Sequence, residues 1–323
     1  MRLSANAVIA LSCGLTLAAT GCGKSGASSC RAESPRTPIA APEVTLTAEE
    51  KAVWAPLPPD RSAVPVVLYH GVGGVSDFAN AADAEYGIDA DDFAKQMTMI
   101  KHAGYQTISL QTFVDFVRGR PVELPPRPLL LTFDDGRADS WTGSASILKQ
   151  LHFNAVMFVD VGRVSDCDPE YLTWDELRGM TDGGGWTMQL HAGPDGHQYI
   201  RYGSSADETG PYYAYEQPGE DFPHWQDRVR SDIEAGQQEL AKQIPSYKPL
   251  AFALPYGAYG QQGTNDKRIP PDLLAWLTGR YEAVFTQDEN ALAHSGSHQP
   301  LGRIQVTRAT SGGELHSELQ TGQ

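Results

Sequence analysis

From Pro65 onward, short aliphatic runs alternate with longer stretches whose apolar positions recur at helical spacing. The runs Val66–Tyr69, Thr107–Leu110, Leu129–Phe133, Ala155–Val159, Trp186–Leu190, Leu250–Leu254, Ala283–Thr286 and Arg303–Val306 read as strands. Helices fall between them. Asp89 caps one that runs through Lys101, with Phe93, Met97 and Ile100 on its apolar face. Others cover Thr112–Val117, Ser140–Leu151 and Arg228–Gln243, and Thr173-Trp174-Asp175-Glu176 is a capping box that opens a further helix. Residues 201–224 are rich in Gly, Tyr and Asp, show no period, and are expected to form a long surface insertion. The alternation predicts an α/β fold with a parallel sheet of about eight strands, open or closed into a barrel. In both forms functional groups collect at the carboxyl ends of the strands.

Upstream the texture differs. Arg2 precedes an apolar segment, Ala5 to Ala19, that ends in Ala19-Thr20-Gly21-Cys22. This is the layout of a secretory signal, and it is too short for a comfortable membrane span. Small residues directly before a cysteine resemble a bacterial lipoprotein signal, in which Cys22 becomes the lipidated first residue. Residues 1–21 are therefore expected to be removed. Residues 22–62, rich in Gly, Ser, Ala and Pro with a short helix at Ala48–Val53, are expected to form a flexible tether. Residues 63–310 would be the folded domain and 311–323 a C-terminal tail. The expected location is the bacterial cell surface or periplasm, with membrane contact only through the lipid at Cys22.

The chain has 323 residues and a net charge of -15. That charge argues against nucleic acid, which needs a basic face, and against anionic lipid, but it is neutral toward an uncharged polymer such as a glycan. Cys13 leaves with the signal. Cys30 and Cys167 remain, as a disulfide or as two free thiols, and the absence of a CxxC pair argues against a cysteine-zinc site.

The chemistry lies where the strands stop. Leu129–Phe133 ends on Asp134, Asp135 and Gly136. At a strand end the chain turns, and both carboxylates can face one cleft. Two such charges are costly together unless a metal ion or a shared proton accompanies them. His70 follows Val66–Tyr69, His191 follows Trp186–Leu190 with His197 shortly after, and Pro255-Tyr256-Gly257 follows Leu250–Leu254. A carboxylate with two histidines and open positions for water is a common catalytic zinc arrangement. The second aspartate is then free to act as general base on the water. Backbone N–H groups in the Pro-Tyr-Gly turn are suited to hold a developing oxyanion.

These residues resemble the polysaccharide deacetylases with a NodB homology domain (carbohydrate esterase family 4). Thr132-Phe133-Asp134-Asp135-Gly136 matches the first motif of that family in full. By resemblance Asp134 is the base and Asp135 a metal ligand. His191 and His197 are similar to the two-histidine second motif. Pro255-Tyr256-Gly257 is similar to the third, with the Tyr256 amide in the oxyanion hole. Tyr69-His70-Gly71 and Phe153–Val159 resemble the branch that acts on poly-N-acetylglucosamine. The resemblance covers about residues 63–310 and implies a distorted (β/α) barrel of about seven or eight strands. It implies a divalent metal, zinc before others, on Asp135, His191 and His197. It also implies an N-acetylated polysaccharide as substrate, with acetate released.

The chain departs from the pattern in three places. Five residues separate His191 from His197, more than is usual, and Asp195 inside that loop is an alternative ligand or a partner that orients His197. The arginine that normally steadies the base is missing near Pro255, which leaves Arg303 or Arg308 to supply it from a later strand. The late histidine of the family has no clear match among His294, His298 and His316, and His70 is a further candidate for the acid or for contact with substrate. Trp174, Trp186 and Trp225 read as core or cleft walls, and Trp225 or the Tyr212–Tyr215 cluster as candidates for stacking on sugar. The same site would serve an O-acetyl esterase, and the departures would suit a non-catalytic glycan-binding relative. A glycosidase fits less well, because its two carboxyl groups must face each other across the scissile bond.

Overall fold

Alternate residues of the strands divide between two hydrophobic clusters, as the two-residue period of a pleated strand requires. A computed structural model describes residues 36–73, 83–165, 167–288 and 290–323. The expected signal segment, Cys22 and Cys30 lie outside these. The strands are β1 (Ala63–Tyr69), β2 (Gln106–Thr107), β3 (Pro128–Phe133), β4 (Ala155–Asp160), β5 (Trp186–Ala192), β6 (Tyr199–Arg201), β7 (Thr209–Pro211), β8 (Ala251–Ala253), β9 (Ala283–Phe285), β10 (Leu292–His294) and β11 (Ile304–Gln305). The helices are α1 (Ala48–Val53), α2 (Ala90–His102), α3 (Leu110–Val117), α4 (Ala138–Leu151), α5 (Trp174–Asp182), α6 (Phe222–Gln243), α7 (Ile269–Thr278) and α8 (Gly312–Thr321).

The main sheet has nine strands among the described residues: seven run in the order β10-β1-β3-β4-β5-β8-β9, β2 pairs with β3 and β11 with β1, and all pairings are parallel except that of β10. It curls so far that residues 301–306 bridge its two sides. Leu301 exchanges hydrogen bonds with β9, its N–H reaching the Val284 carbonyl at 2.8 Å. β11 pairs in parallel with β1 at Val67–Ile304 and Leu68–Gln305. This is the distorted barrel that the family resemblance implies, and it decides between the open and closed sheets that the strand pattern allows.

Val64, Val66, Leu130, Val156, Phe158, Ala251, Ala253, Ala283 and Phe285 point inward and share one cluster with Leu110, Phe113, Val114 and Val117 of α3, which plugs one end. Their neighbours Val67, Leu129, Leu131, Ala155, Met157 and Val159 point outward, in a cluster with Phe93, Met97, Ile147, Leu177 and Val229 of the surrounding helices. The inward positions end in polar groups at the carboxyl edge, which leaves the other end open for chemistry.

Several elements differ from the sequence reading. The run Thr107–Leu110 is a strand only to Thr107, because the Ser109 side chain accepts from the Thr112 N–H and starts α3 at Leu110. α6 begins at Phe222, capped by Asp221 and with Pro223 in its first turn, so residues 222–224 belong to a helix. The rest of the expected surface insertion is also folded in. β6 and β7 pair as a hairpin, and Ile200, Tyr212 and Tyr213 are buried.

The expected tether is likewise packed down over its described part. Trp54 is buried, the Arg36 guanidinium donates to Glu176 and to the Pro169 carbonyl, and the Ile39 N–H donates to Thr142 on α4. The expected C-terminal tail is α8. A Ser311–Glu314 capping box starts it, and Leu315 and Leu319 anchor it.

Candidate active site

On the inward face, Leu130 and Thr132 of β3 lead to Asp134 just past its end; β4 reads Val156, Phe158, Asp160; and His191 is the penultimate residue of β5. His70 continues the parity of Val64 and Val66 on β1. Strand pleating alone therefore brings these groups to one rim. Asp135 would by the same rule point outward. It turns back because its φ is 73°, followed by Gly136 at φ 74°. A left-handed aspartate is uncommon and strained, and here it puts both carboxylates in one cleft.

Asp134 is fully buried and gripped by Arg303, whose Nη1 and Nη2 donate to Oδ1 and Oδ2, each at 2.7 Å. The Arg303 Nε donates to the Thr286 carbonyl at 3.1 Å, and the guanidinium lies 5.6 Å from the Phe158 ring centroid. The segment that closes the barrel thus delivers the arginine that sequence motifs near Pro255 lack. Burial opposes ionisation of Asp134, but Arg303 and then His191 outweigh it and hold the carboxyl below its ordinary value. Arg308 is not at the site; its backbone N–H donates to the Glu85 carbonyl.

Asp135, His191 and His197 form the one group of three or more His, Cys, Asp and Glu side chains among the described residues whose ligand atoms all lie within 4.8 Å of one another. Asp135 Oδ1 is 3.5 Å from His191 Nε2 and 3.3 Å from His197 Nε2. His191 Nδ1 sits 2.8 Å from the Ala253 carbonyl oxygen. A carbonyl only accepts, so Nδ1 carries a proton, and Nε2 faces the Asp135 carboxylate in the cleft. Burial lowers the His197 pKa to about 4 despite the nearby Asp135, which keeps this imidazole neutral at neutral pH. Burial also raises Asp135, but His197, His70 and His191 reverse that and bring it to about 2. One carboxylate and two imidazoles form a donor set that fits a divalent metal.

The long spacing to His197 is absorbed by glycines. A Cβ on Gly193 would lie 1.9 Å from the Asp232 carbonyl oxygen, and one on Gly196 would lie 1.9 Å from the Tyr213 hydroxyl. The loop therefore fits tightly against α6 and Tyr213. The Asp195 N–H donates to Asp232 Oδ1 at 2.7 Å, and the Tyr213 hydroxyl donates to Asp232 Oδ2 at 2.6 Å. Asp195 itself is exposed and outside the ligand group.

The partner behind His197 is instead Asp160. Its Oδ2 lies 3.7 Å from His197 Nδ1, and its Oδ1 accepts from the Gly162 N–H at 3.0 Å. Burial and the nearby Asp135 raise this carboxyl to about 8. Asp160 is not among the residues expected from the sequence, although it directly follows the expected strand Ala155–Val159. Asp160 and His197 also line a cleft of about 210 Å³ with Gly162, Arg163, Pro194, Asp195 and Gln198. A larger cavity of about 600 Å³ sits apart, among α1, α2 and the start of α8.

Tyr256 has φ 58°, and its ring stacks on His197 at 4.7 Å between centroids. His70 Nδ1 is buried without a hydrogen-bond partner among the described residues, and burial lowers the pKa of the ring. His294 and His316 are elsewhere: His294 Nδ1 faces the Ser62 carbonyl and His316 packs on Trp54. Cys167 is disulfide-bonded.

The family model for polysaccharide deacetylases matches residues 122–268, which include the Asp-Asp-Gly turn, both histidines and the Pro-Tyr-Gly turn. Over that stretch the chain is similar to the polysaccharide deacetylases. Solved structures agree in fold. A de-N-acetylase from Aggregatibacter actinomycetemcomitans is 20% identical with a TM-score of 0.66, over 79% of this chain and 99% of that one. IcaB from Ammonifex degensii is 23% identical with a TM-score of 0.62, over 80% and 97%. The Streptococcus pyogenes deacetylase PplD, solved with acetate, is 22% identical with a TM-score of 0.58, over 82% and 99%. None of the curated proteins compared matches the chain.

The structure gathers Asp134, Asp135, His191, His197, Tyr256 and His70 at one rim and adds Asp160 and Arg303. The sugar-stacking candidates face the core. Trp225 lies on the buried face of α6, and the Tyr212–Tyr215 stretch is spent largely on core contacts.

Proposed function

We propose that this chain hydrolyses N-acetyl groups of an N-acetylglucosamine polymer outside the cytoplasm and releases acetate. The observation that supports it most is the pairing of an ionised, arginine-held Asp134 with the Asp135-His191-His197 group beside it. A divalent ion held by those three residues, zinc by the nature of the donors, supplies Lewis acidity that activates water and polarises an amide carbonyl.

The protein groups then divide the remaining work. Asp134 takes the proton of the attacking water. The Tyr256 N–H, on a backbone held at positive φ against His197, donates to the oxyanion. Because Arg303 keeps the Asp134 pKa low, the protonated carboxyl is a strong acid and returns its proton to the leaving nitrogen as the C–N bond breaks. His70, neutral and with Nδ1 unpaired, serves as a substrate contact. Asp160 faces Nδ1 of His197 and would orient that ring with Nε2 toward Asp135.

A non-catalytic role would draw its support from the long histidine spacing and the missing arginine. The folded loop and Arg303 fill both gaps. Acetate release should be measured from N-acetylglucosamine oligomers and from acetylxylan, before and after chelation and with zinc restored. The reading expects metal-dependent release, greater from the oligomers. Release that persists without metal, or that is confined to acetylxylan, would refute it. Export and anchoring through Cys22 are part of the same proposal and rest on the sequence of the first 22 residues.

A further inference from the structure

The β6–β7 hairpin has one face on the core and one in solvent. Along β6, Tyr199 and Arg201 are exposed while Ile200 is buried, and Tyr199 pairs with Pro211 and Arg201 with Thr209 across the ladder. Tyr202, directly after β6, stacks on Tyr215 at 4.1 Å and 12° between planes, which braces the hairpin at its loop end. Tyr199 is 55% exposed, one of three large hydrophobic side chains so exposed among the described residues. The other two, Ile39 and Val53, lie in the N-terminal segment.

The exposed tyrosine is not isolated. Its ring meets Tyr256 edge-on at 4.8 Å, and Tyr256 in turn stacks on the metal-site residue His197 at 4.7 Å. Three rings therefore step outward from the acetyl-cleaving centre, and the last offers a flat aromatic surface to solvent. Such a surface next to a polar cleft suits a ligand with one apolar face and many hydroxyls.

We infer that Tyr199 is a sugar-stacking subsite that receives the pyranose ring adjoining the unit being deacetylated. The inference rests on the glycan reading above and deepens it. It also accounts for the hairpin. The loop that brings His197 to the metal carries on, two residues later, into the platform that positions the polymer.

The test is calorimetric titration of an N-acetylglucosamine oligomer into the full-length Asp134→Asn protein, which prevents turnover, alone and combined with Tyr199→Ala or Tyr199→Phe. Tyr199→Ala should weaken binding about two- to tenfold, the worth of one aromatic contact. Tyr199→Phe, which keeps the ring face, should bind as the parent does. All three proteins should hold equal amounts of zinc. Unchanged binding by Tyr199→Ala, an equal loss in Tyr199→Phe, or loss of zinc with the ring would overturn the subsite while leaving the glycan reading intact. If the parent binds no oligomer although acetate is released from other polymers, both the N-acetylglucosamine assignment and the subsite fail.

Discussion

Asp134 and Arg303 lie 169 positions apart and make two hydrogen bonds with both side chains fully buried. Removing one partner leaves an unpaired charge in the interior. Arg303→Ala should therefore cost about 3–5 kcal/mol of stability, measurable by denaturant unfolding. It should also move the acid limb of the pH–rate profile. Asp134 acts as a base only when ionised, and Arg303 holds its pKa down against burial. Without Arg303, burial prevails, the pKa rises, and activity should fail about 1–3 pH units higher on the acid side. An unmoved acid limb would show that Arg303 does not set the base. Asp160 makes a separate prediction. Asp160→Ala should weaken zinc binding about 10- to 100-fold in competition with a chelator, since it frees the His197 ring; unchanged affinity would remove Asp160 from the site. The Asp-Asp-Gly turn and His191 are legible in the sequence because strand ends and motif coincide. Arg303 is legible only as one of two choices, because a contact between distant positions depends on how the barrel closes. Asp160 is open to the same strand-end rule, but the apolar run stops at Val159 and leaves a single polar residue with no motif to mark it.

The loop from His191 to His197 works because its glycines fit where a side chain would not. Gly196→Ala would push a methyl group into the Tyr213 hydroxyl and should cost about 1–3 kcal/mol, with zinc affinity falling alongside stability. Normal zinc binding in that variant would mean the loop can relocate without moving His197. The N-terminal segment makes a different case. Its Gly, Ser and Pro content reads as a tether, yet α1 carries Trp54 into a buried position against α8, with the His316 ring 4.7 Å away. Trp54→Ala should lower stability by about 3–5 kcal/mol, and a thermal midpoint equal to wild type would contradict that packing. Composition describes the segment's polarity correctly but does not show which of its few apolar residues find a partner. α7 and α8 escape the sequence pattern for a related reason: short amphipathic stretches after the last strong motif give little periodic signal.

At the scale of the molecule, the barrel follows from two simple patterns, apolar runs at strand length and helices between them. The inward residues fill the barrel with Val, Ala, Leu and Phe at one end, and at the other they finish in aspartate and histidine. That division is readable from the sequence. The hairpin at residues 199–211 is not, because two three-residue strands leave no clear period. Across 78–82% of the chain, structural neighbours share the fold at 20–23% identity.

The central claim is that Asp134 is the base and Asp135, with its two histidines, the metal site. Its most direct test is Asp134→Asn, assayed together for bound zinc and for acetate released from an N-acetylglucosamine oligomer. The account predicts zinc retained at the wild-type level and acetate release reduced about 10²- to 10⁴-fold, the contribution of a positioned base. Acetate release near the wild-type rate, or a loss of activity that merely follows a loss of zinc, would contradict it.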